Sequence, residues 1–315
     1  MTVVSVIIPT INRPKLIKRA IQSVYDQTFD KNIEIFVVDS SPNEETKIVC
    51  ENFPSRENRD LKYVRNNDSK HPIDNYIVGA EYIKGKYSKF LCDDDWLEPS
   101  FIEESIDLME MNDASCSISN INVIKVSNKK EVKIEDYYQI NAGQVNLDQI
   151  YDFILNGKSI PTTDSASLMK ASKLKEAFIS SLLNSECTKI QYGFDFYINY
   201  YCVFDNSKTI NLNKSLVNSW AGEDSLTVKA KMSRVSYCNF FAFLKLVDLF
   251  DVSIDSNNKK LIEHKISVVR FKSFFSKEIK ILIPEISYRS KLKPIILIKS
   301  LLRRILIKIK YLIKA

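Results

Sequence analysis

Val3-Val4-Ser5-Val6-Ile7-Ile8 is a nearly unbroken apolar run, and Ile33-Glu34-Ile35-Phe36-Val37-Val38 repeats the pattern farther along the chain. A strand with one face in water alternates apolar with polar residues. A run without that alternation has to be covered on both faces, which happens in parallel sheets layered by helices. The residues between the two runs agree. Pro9–Pro14 interrupts the first strand, where Asn12 is a suitable N-cap and Pro14 suits a first helical turn. Leu16, Ile17, Ala20, Ile21 and Val24 then recur at helical spacing. A weaker strand at Lys62–Arg65 and a helix over Asp74–Lys84, stopped by a left-handed Gly85, continue the alternation. A strand at Tyr87–Cys92 and a helix near Pro99–Met111 follow. Strand then helix, repeated, predicts right-handed crossovers and an α/β fold on a mostly parallel sheet flanked by helices.

At the end of one of these strands the chain does something costly. Lys89–Pro99 reads KFLCDDDWLEP, an apolar strand driven into three consecutive aspartates. Adjacent carboxylates repel, and none is buried cheaply without a counter-charge. Two readings stand open on these residues alone: a solvated loop whose last acid caps the next helix, or a site whose missing charge is a bound cation. Open α/β sheets collect ligands at the carboxyl ends of their strands. Asp39 and Asp93–Asp95 both fall there, which favours the site.

Beyond the triplet, Cys116–Val126 reads as a strand and Asn128–Ile150 as irregular and polar. Thr162–Met169 reads as a strand leading into a helix at Ser172–Leu183, and Thr209–Trp220 as a further strand. After Asp224-Ser225 the pattern is helical to the end. This divides the chain into a unit over 1–228 and a helical extension over 229–315. The six cysteines form no CxxC pair and only two histidines are present. That pattern excludes a histidine-rich metal site and fits reduced thiols better than a disulfide framework. A metal here would be held by oxygen. No apolar run reaches the roughly 18–20 residues of a membrane span, and the opening residues are expected to be core strand rather than signal peptide.

Taken in order, these stretches resemble the family 2 glycosyltransferases, nucleotide-sugar enzymes of the GT-A fold. The likeness is carried by VSVIIPTINRP at Val4–Pro14, IFVVDS at Ile35–Ser40, IKGKYSKFLCDDD at Ile83–Asp95 and the GxDxxL-like YGFDFYI at Tyr192–Ile198, over about residues 3–225. It implies a Rossmann-like GT-A domain that moves a sugar from a UDP-sugar to an acceptor hydroxyl with inversion. It further implies Asp94 as first ligand of Mn²⁺ or Mg²⁺, Asp95 as the next candidate, and Asp93 facing the ribose or a metal-bound water. Such cations favour carboxylate oxygen and neutralise charge on a leaving diphosphate. Asp39 is expected to accept from the uracil edge, with Pro9, Thr10 and Asn12 lining base and ribose. Asp195 matches the family's base, which an acceptor hydroxyl needs at neutral pH; an acid in a first helical turn is also favoured by the helix dipole alone. Glu223 and Asp224 are weaker candidates for gating or metal-side contacts.

Three departures stand against the family pattern. Ser40 replaces a second acid. His71 and Asn75-Tyr76-Ile77 replace a Gly and an ARN-like triplet, which removes a cation expected at the diphosphate and leaves Lys70 or His71 to supply it. No late basic or histidine residue appears near Trp220-Ala221-Gly222.

The net charge of +6 is unevenly placed. Nine Lys or Arg and no acid lie between Arg289 and Ala315; taking those nine from +6 leaves −3 for the rest. On a helical wheel Lys299, Arg303, Lys310 and Lys314 fall together, opposite Ile298, Leu301, Leu302, Ile305, Leu306 and Ile309. A basic amphipathic segment over 295–314 reads as a helix lying on an anionic membrane surface, or as one docked on the protein's own core. Nucleic acid is not an expected partner, since the apolar face has no use there. The whole reads as a cytoplasmic enzyme, peripheral at the inner face of the cell membrane, acting on a glycan or lipid-linked acceptor in cell-surface polysaccharide synthesis. The rivals are a nucleotidyltransferase and a catalytically silent nucleotide-sugar-binding scaffold.

Overall fold

The expected alternation opens the chain. β1 (Val4–Thr10), α1 (Pro14–Tyr25), β2 (Ile33–Asp39), α2 (Glu45–Glu51), β3 (Arg59–Arg65), α3 (Pro72–Glu81) and β4 (Tyr87–Phe90) follow one another, and β3-β2-β1-β4 are all parallel. The structure, a computed structural model, describes residues 3–127, 130–184, 193–222, 225 and 232–273. All seven β1 residues are buried, as an unbroken apolar run between two strands with α1 and α3 packed on it requires.

Two local expectations are corrected. Pro14 does open α1, but Arg13 holds the N-cap position, and Asn12 sits at φ 53 with its backbone N–H on Ser41 Oγ at 2.8 Å. Asparagine tolerates the left-handed region, so the turn uses Asn12 for its backbone rather than as a cap. Gly85 is not a left-handed stop either, since α3 already ends at Glu81 with Tyr82 as its right-handed cap. Gly85 is there for closeness: a Cβ would stand 2.9 Å from Ser5 N, Val3 O and Tyr87 O.

The second half is more mixed. β5 (Trp96–Leu97), α4 (Phe101–Met111), β6 (Cys116–Ser127), β7 (Lys130–Tyr138), β8 (Gly143–Gln144) and α5 (Leu147–Asn156) precede a 3₁₀ turn at Asp164–Ala166. Then come β9 (Ser167–Lys170), α6 (Ala171–Asn184), α7 (Phe194–Phe204), β10 (Thr209–Ala221), α8 (Met232–Leu249) and α9 (Ser256–Ser273). The ten strands form one sheet in the order β3-β2-β1-β4-β9-β6-β10-β5, with β7 on β6 and β8 on β10. The stretch expected to be irregular at Asn128–Ile150 holds β7, β8 and the start of α5. β7 is largely exposed and polar and is held through its backbone pairing with β6, so it carries no apolar signature.

One topological fact places the site. β9 runs antiparallel to both β4 and β6, while β10 runs parallel to β6. The turn entering β9 is therefore delivered to the edge where β1, β4 and β10 end. Beyond the sheet, α8 packs on α7 in an aromatic core of Phe196, Tyr200, Phe204, Phe240 and Phe243, all fully buried. The boundary near 228, the tail over 295–314, Glu223 and Asp224 lie outside the described residues.

Candidate active site

Thr10 closes β1, and the three aspartates follow β4. At that edge lies a cavity of about 310 Å³, walled by Pro9, Thr10, Arg13, Asn75, Tyr76, Cys92, Asp93, Asp94, Asp95, Thr163, Asp195 and Trp220, with Tyr138, Val235 and Asn239 among its other lining residues. Pro9, Thr10, Asp93, Asp94, Asp95 and Asp195, all picked out in the sequence, meet here. Asn12 and Asp39 do not line it. Val235 and Asn239 of α8 do, so the helical extension contributes to the wall.

Each aspartate has a different setting. Asp93 is buried; it accepts from Thr10 Oγ1 at 2.6 Å and from Arg13 at 2.9 Å. Asp94 is half-buried and pairs with the same guanidinium nitrogen at 3.2 Å. Asp95 is buried and accepts from Thr163 Oγ1 at 2.9 Å and from the Trp220 backbone N–H at 3.0 Å. Burial raises all three carboxyls. Asp94 goes well above the ordinary range because Asp95 and Asp93 add like charge, which Arg13 only partly offsets. Arg19 braces the loop: it donates to the Asp94 carbonyl at 3.1 Å and lies 3.7 Å over the Trp96 ring and 4.8 Å from that of Trp220.

Asp195 stands in the first turn of α7, just after Gly193 at φ 79. Burial, with Asp95 nearby, pushes its carboxyl up to about 7. Such a group is ionised in part at neutral pH and is well matched to taking a proton.

Asp39 is differently employed. It is fully buried; Oδ1 accepts from the Ser41 backbone N–H at 2.8 Å and from Ser41 Oγ, and Oδ2 from Tyr63 at 2.9 Å and Arg65 at 3.4 Å. Two acceptor sites per oxygen are thus occupied. The departures have structural work of their own. Asn75 Nδ2 donates to Thr10 O and to Ser40 Oγ, both at 2.9 Å, while its Oδ1 accepts from Asn66 at 2.9 Å, so one amide ties the ends of three strands. Lys70 and His71 give their backbone N–H groups to Asp74 and do not line the cavity. Among the described residues the cation in the cavity is Arg13, which the sequence reading passed over; its signal was an arginine directly after the first strand-end turn.

The three acids can be tested as a metal site by their donors. Ligand atoms of Cys92, Asp94 and Asp95 lie within 4.8 Å of one another. The carboxylates suit Mg²⁺ or Mn²⁺, and Asp94, without the hydrogen bonds that tie Asp95, is the freer of the two. Cys92 is a soft donor whose buried thiol is raised well above its usual value and does not suit a hard cation.

The model of Glycosyl transferase family 2 matches residues 5–178. The GalNAc(5)-diNAcBac-PP-undecaprenol beta-1,3-glucosyltransferase of Campylobacter jejuni is 36% identical over 97 residues, 31% of each protein. Glycosyltransferase GlyA of Streptococcus pneumoniae is 27% identical over 217 residues, 68% of this chain and 30% of its own. The chain thus spans under a third of the length of these relatives. Among solved structures, S. aureus TarS 1-349 matches with a TM-score of 0.58 at 17% identity, over 92% of this chain and 76% of that one. The same fragment in complex with UDP-GlcNAc matches with a TM-score of 0.57 at 17% identity, over 87% and 73%. At such identities the likeness is one of fold, and the fold is GT-A.

Proposed function

Because the chain belongs to glycosyl transferase family 2, we propose that it moves a sugar from a UDP-sugar to an acceptor hydroxyl with inversion at the anomeric carbon. The observation that carries this is one cavity that joins Asp93 and Asp94 to Asp195, far apart in the sequence. Asp195, as carboxylate, takes the acceptor's proton while the acceptor oxygen attacks the anomeric carbon. As that bond forms, the bond to the diphosphate breaks, and its electron pair leaves with the diphosphate. Arg13 lines the same wall and takes the role of the missing cation, donating to diphosphate oxygens. A divalent cation held by Asp94, with Asp95 beside it, would supply neutralisation of the leaving charge. Pro9, Thr10 and Asp93 are the side chains within reach of the ribose. Presenting Asp39 to a uracil edge requires Tyr63 or Arg65 to release it.

The UDP-GlcNAc complex of the TarS fragment supports a UDP-sugar donor. The undecaprenol-linked substrate in the name of the Campylobacter relative supports a lipid-linked glycan acceptor, hence a role in capsule, O-antigen or exopolysaccharide synthesis. Among the described residues no helix is long and apolar enough to cross a membrane. The basic apolar segment 295–314 supports attachment to the inner, anionic face of the cell membrane instead.

Calorimetric titration of UDP tests the reading, with Mn²⁺ and then with EDTA, on wild type, Asp94→Ala and Asp195→Asn. We expect metal-dependent binding that Asp94→Ala abolishes. Asp195→Asn should bind UDP normally yet turn over about 10²–10⁴-fold more slowly. Full turnover by Asp195→Asn removes the base, and absence of UDP binding with metal present removes the donor.

A further inference from the structure

Asp164, in the turn that opens β9, is a charge the reaction above does not use. It is 1% exposed, and among the described residues neither buried carboxyl oxygen has a donor in hydrogen-bond geometry. The groups facing it are the Asp195 carboxyl from α7, the Tyr76 hydroxyl from α3, Asp95 from the loop after β4 and Lys89 from β4, with Cys92 close by. Lys89 does not neutralise it by contact: its Nζ donates to the Ser165 carbonyl at 2.7 Å and lies 4.2 Å over the Phe101 ring. Nor does Asp164 choose its own place. Its turn is fixed from outside, by Thr163 Oγ1 on Asp95 and by Asn199 Nδ2 on the Thr163 carbonyl at 2.8 Å.

A buried carboxylate set against a second carboxylate is acceptor against acceptor, and the Tyr76 hydroxyl offsets this only in part. Two such groups, one of them shut away from water, do not both ionise. We propose that Asp164 and Asp195 share one proton, kept on Asp164, and that Asp164 is thereby the positioning residue of the base. Its O–H donates to Asp195, orients that carboxylate and leaves it ionised for the acceptor hydroxyl. This rests on Asp195 being the base. Titration agrees with the geometry: burial and the Asp195 charge hold Asp164 well above the ordinary range, while Asp195 rises only to about 7 and is drawn downward by its bond with Asp164. The proton ledger closes. Asp195 receives the acceptor's proton as the diphosphate leaves, Asp164 retains its own, and the received proton departs to solvent through the open cavity.

Infrared spectroscopy of the full chain needs no substrate. At neutral pH the wild type minus Asp164→Asn difference should contain the C=O stretch of one protonated carboxyl, shifted in D₂O. A difference holding only carboxylate bands overturns the proposal. With a UDP-sugar that turns over, Asp164→Asn, whose amide still donates, should keep the acid limb of the kcat profile in place. Asp164→Leu should move that limb up by about one pH unit and lower kcat about tenfold or more, with donor KM unchanged. An unmoved limb in an Asp164→Leu protein that still binds UDP overturns it as well. If Asp164→Leu does not fold, the infrared difference and Asp164→Asn decide the matter. Failure of the base reading shows separately, as turnover by Asp195→Asn.

Discussion

Arg13 carries more of the site than any other residue that the sequence reading passed over. One of its nitrogens reaches Asp93 and Asp94 at 2.9 and 3.2 Å, so the question posed by three adjacent aspartates has a partial answer within the chain. Removing one partner of a partly buried ion set leaves charge uncompensated. Arg13→Gln should therefore lose about 2–4 kcal/mol of stability, and Mn²⁺ should restore more of it than it adds to the wild type. Thermal unfolding with and without Mn²⁺ measures both. Equal stabilisation of the two proteins would show that cation and guanidinium do not act on the same carboxylates. The acids were legible in the sequence because three in a row at a strand end are costly whatever surrounds them. Their partner was not, since Arg13 lies at the far end of the domain's first turn and only the β1–β4 pairing brings the two together. Asp39 is the opposite case: the strand-end acid was legible, but its partners Ser41, Tyr63 and Arg65 were not.

Among the elements, α7 depends on a single glycine. Gly193 has φ 79, and a Cβ there would stand 2.6 Å from the Cys238 carbonyl oxygen of α8. Gly193→Ala combines a disfavoured backbone with a backbone clash, and should cost about 2 kcal/mol or more in urea unfolding. Because the strain falls two residues before Asp195, turnover should drop while UDP binding at the β1–β4 edge persists. Loss of both together would mean that α7 supports the nucleotide side too. The strands β1, β2 and β4 could be read from the sequence because burial on both faces leaves continuous apolar runs. β7 could not, since its pairing with β6 is a backbone matter and its side chains face water. The antiparallel entry of β9 was equally silent: nothing in Ser167–Lys170 distinguishes direction, which is set by the partners on either side. That silence is also why Asp164 went unremarked.

For the molecule as a whole, five buried or half-buried acids shape the response to pH. Asp93, Asp94, Asp95, Asp164 and Asp195 all titrate above the ordinary 3.8 in the folded chain, Asp195 at about 7. Folding therefore takes up protons, so their contribution is full below pH 3.8 and is lost as pH rises toward 7 and beyond. Each group still titrating removes about 1.4 kcal/mol per pH unit. In EDTA, urea unfolding should show stability declining between about pH 4 and 7, and Mn²⁺ should flatten that decline. Acids lowered elsewhere, such as Glu98 and Glu104, slope the other way in both conditions and cancel in the difference. An identical slope with metal would place the cation elsewhere. The tail makes its own prediction: the full chain should sediment with vesicles of anionic phospholipid and not with neutral ones. Replacing Lys299, Arg303, Lys310 and Lys314 by Gln should weaken that by about 4 kcal/mol, near 10³-fold. Equal binding to neutral vesicles would make the apolar face sufficient alone.

Asp95 is held by Thr163, which precedes β9, and by the backbone of Trp220 at the end of β10. One carboxylate thus joins three stretches that chain order keeps well apart. The consequence is for anyone exchanging parts between relatives to alter what is glycosylated. Crossovers placed between the aspartate loop and β9, or between β9 and β10, separate a bonded trio, however well each fragment folds. Hybrids that inherit residues 93–222 as one block keep it whole, and the natural unit of exchange in this fold is that block rather than the individual loop.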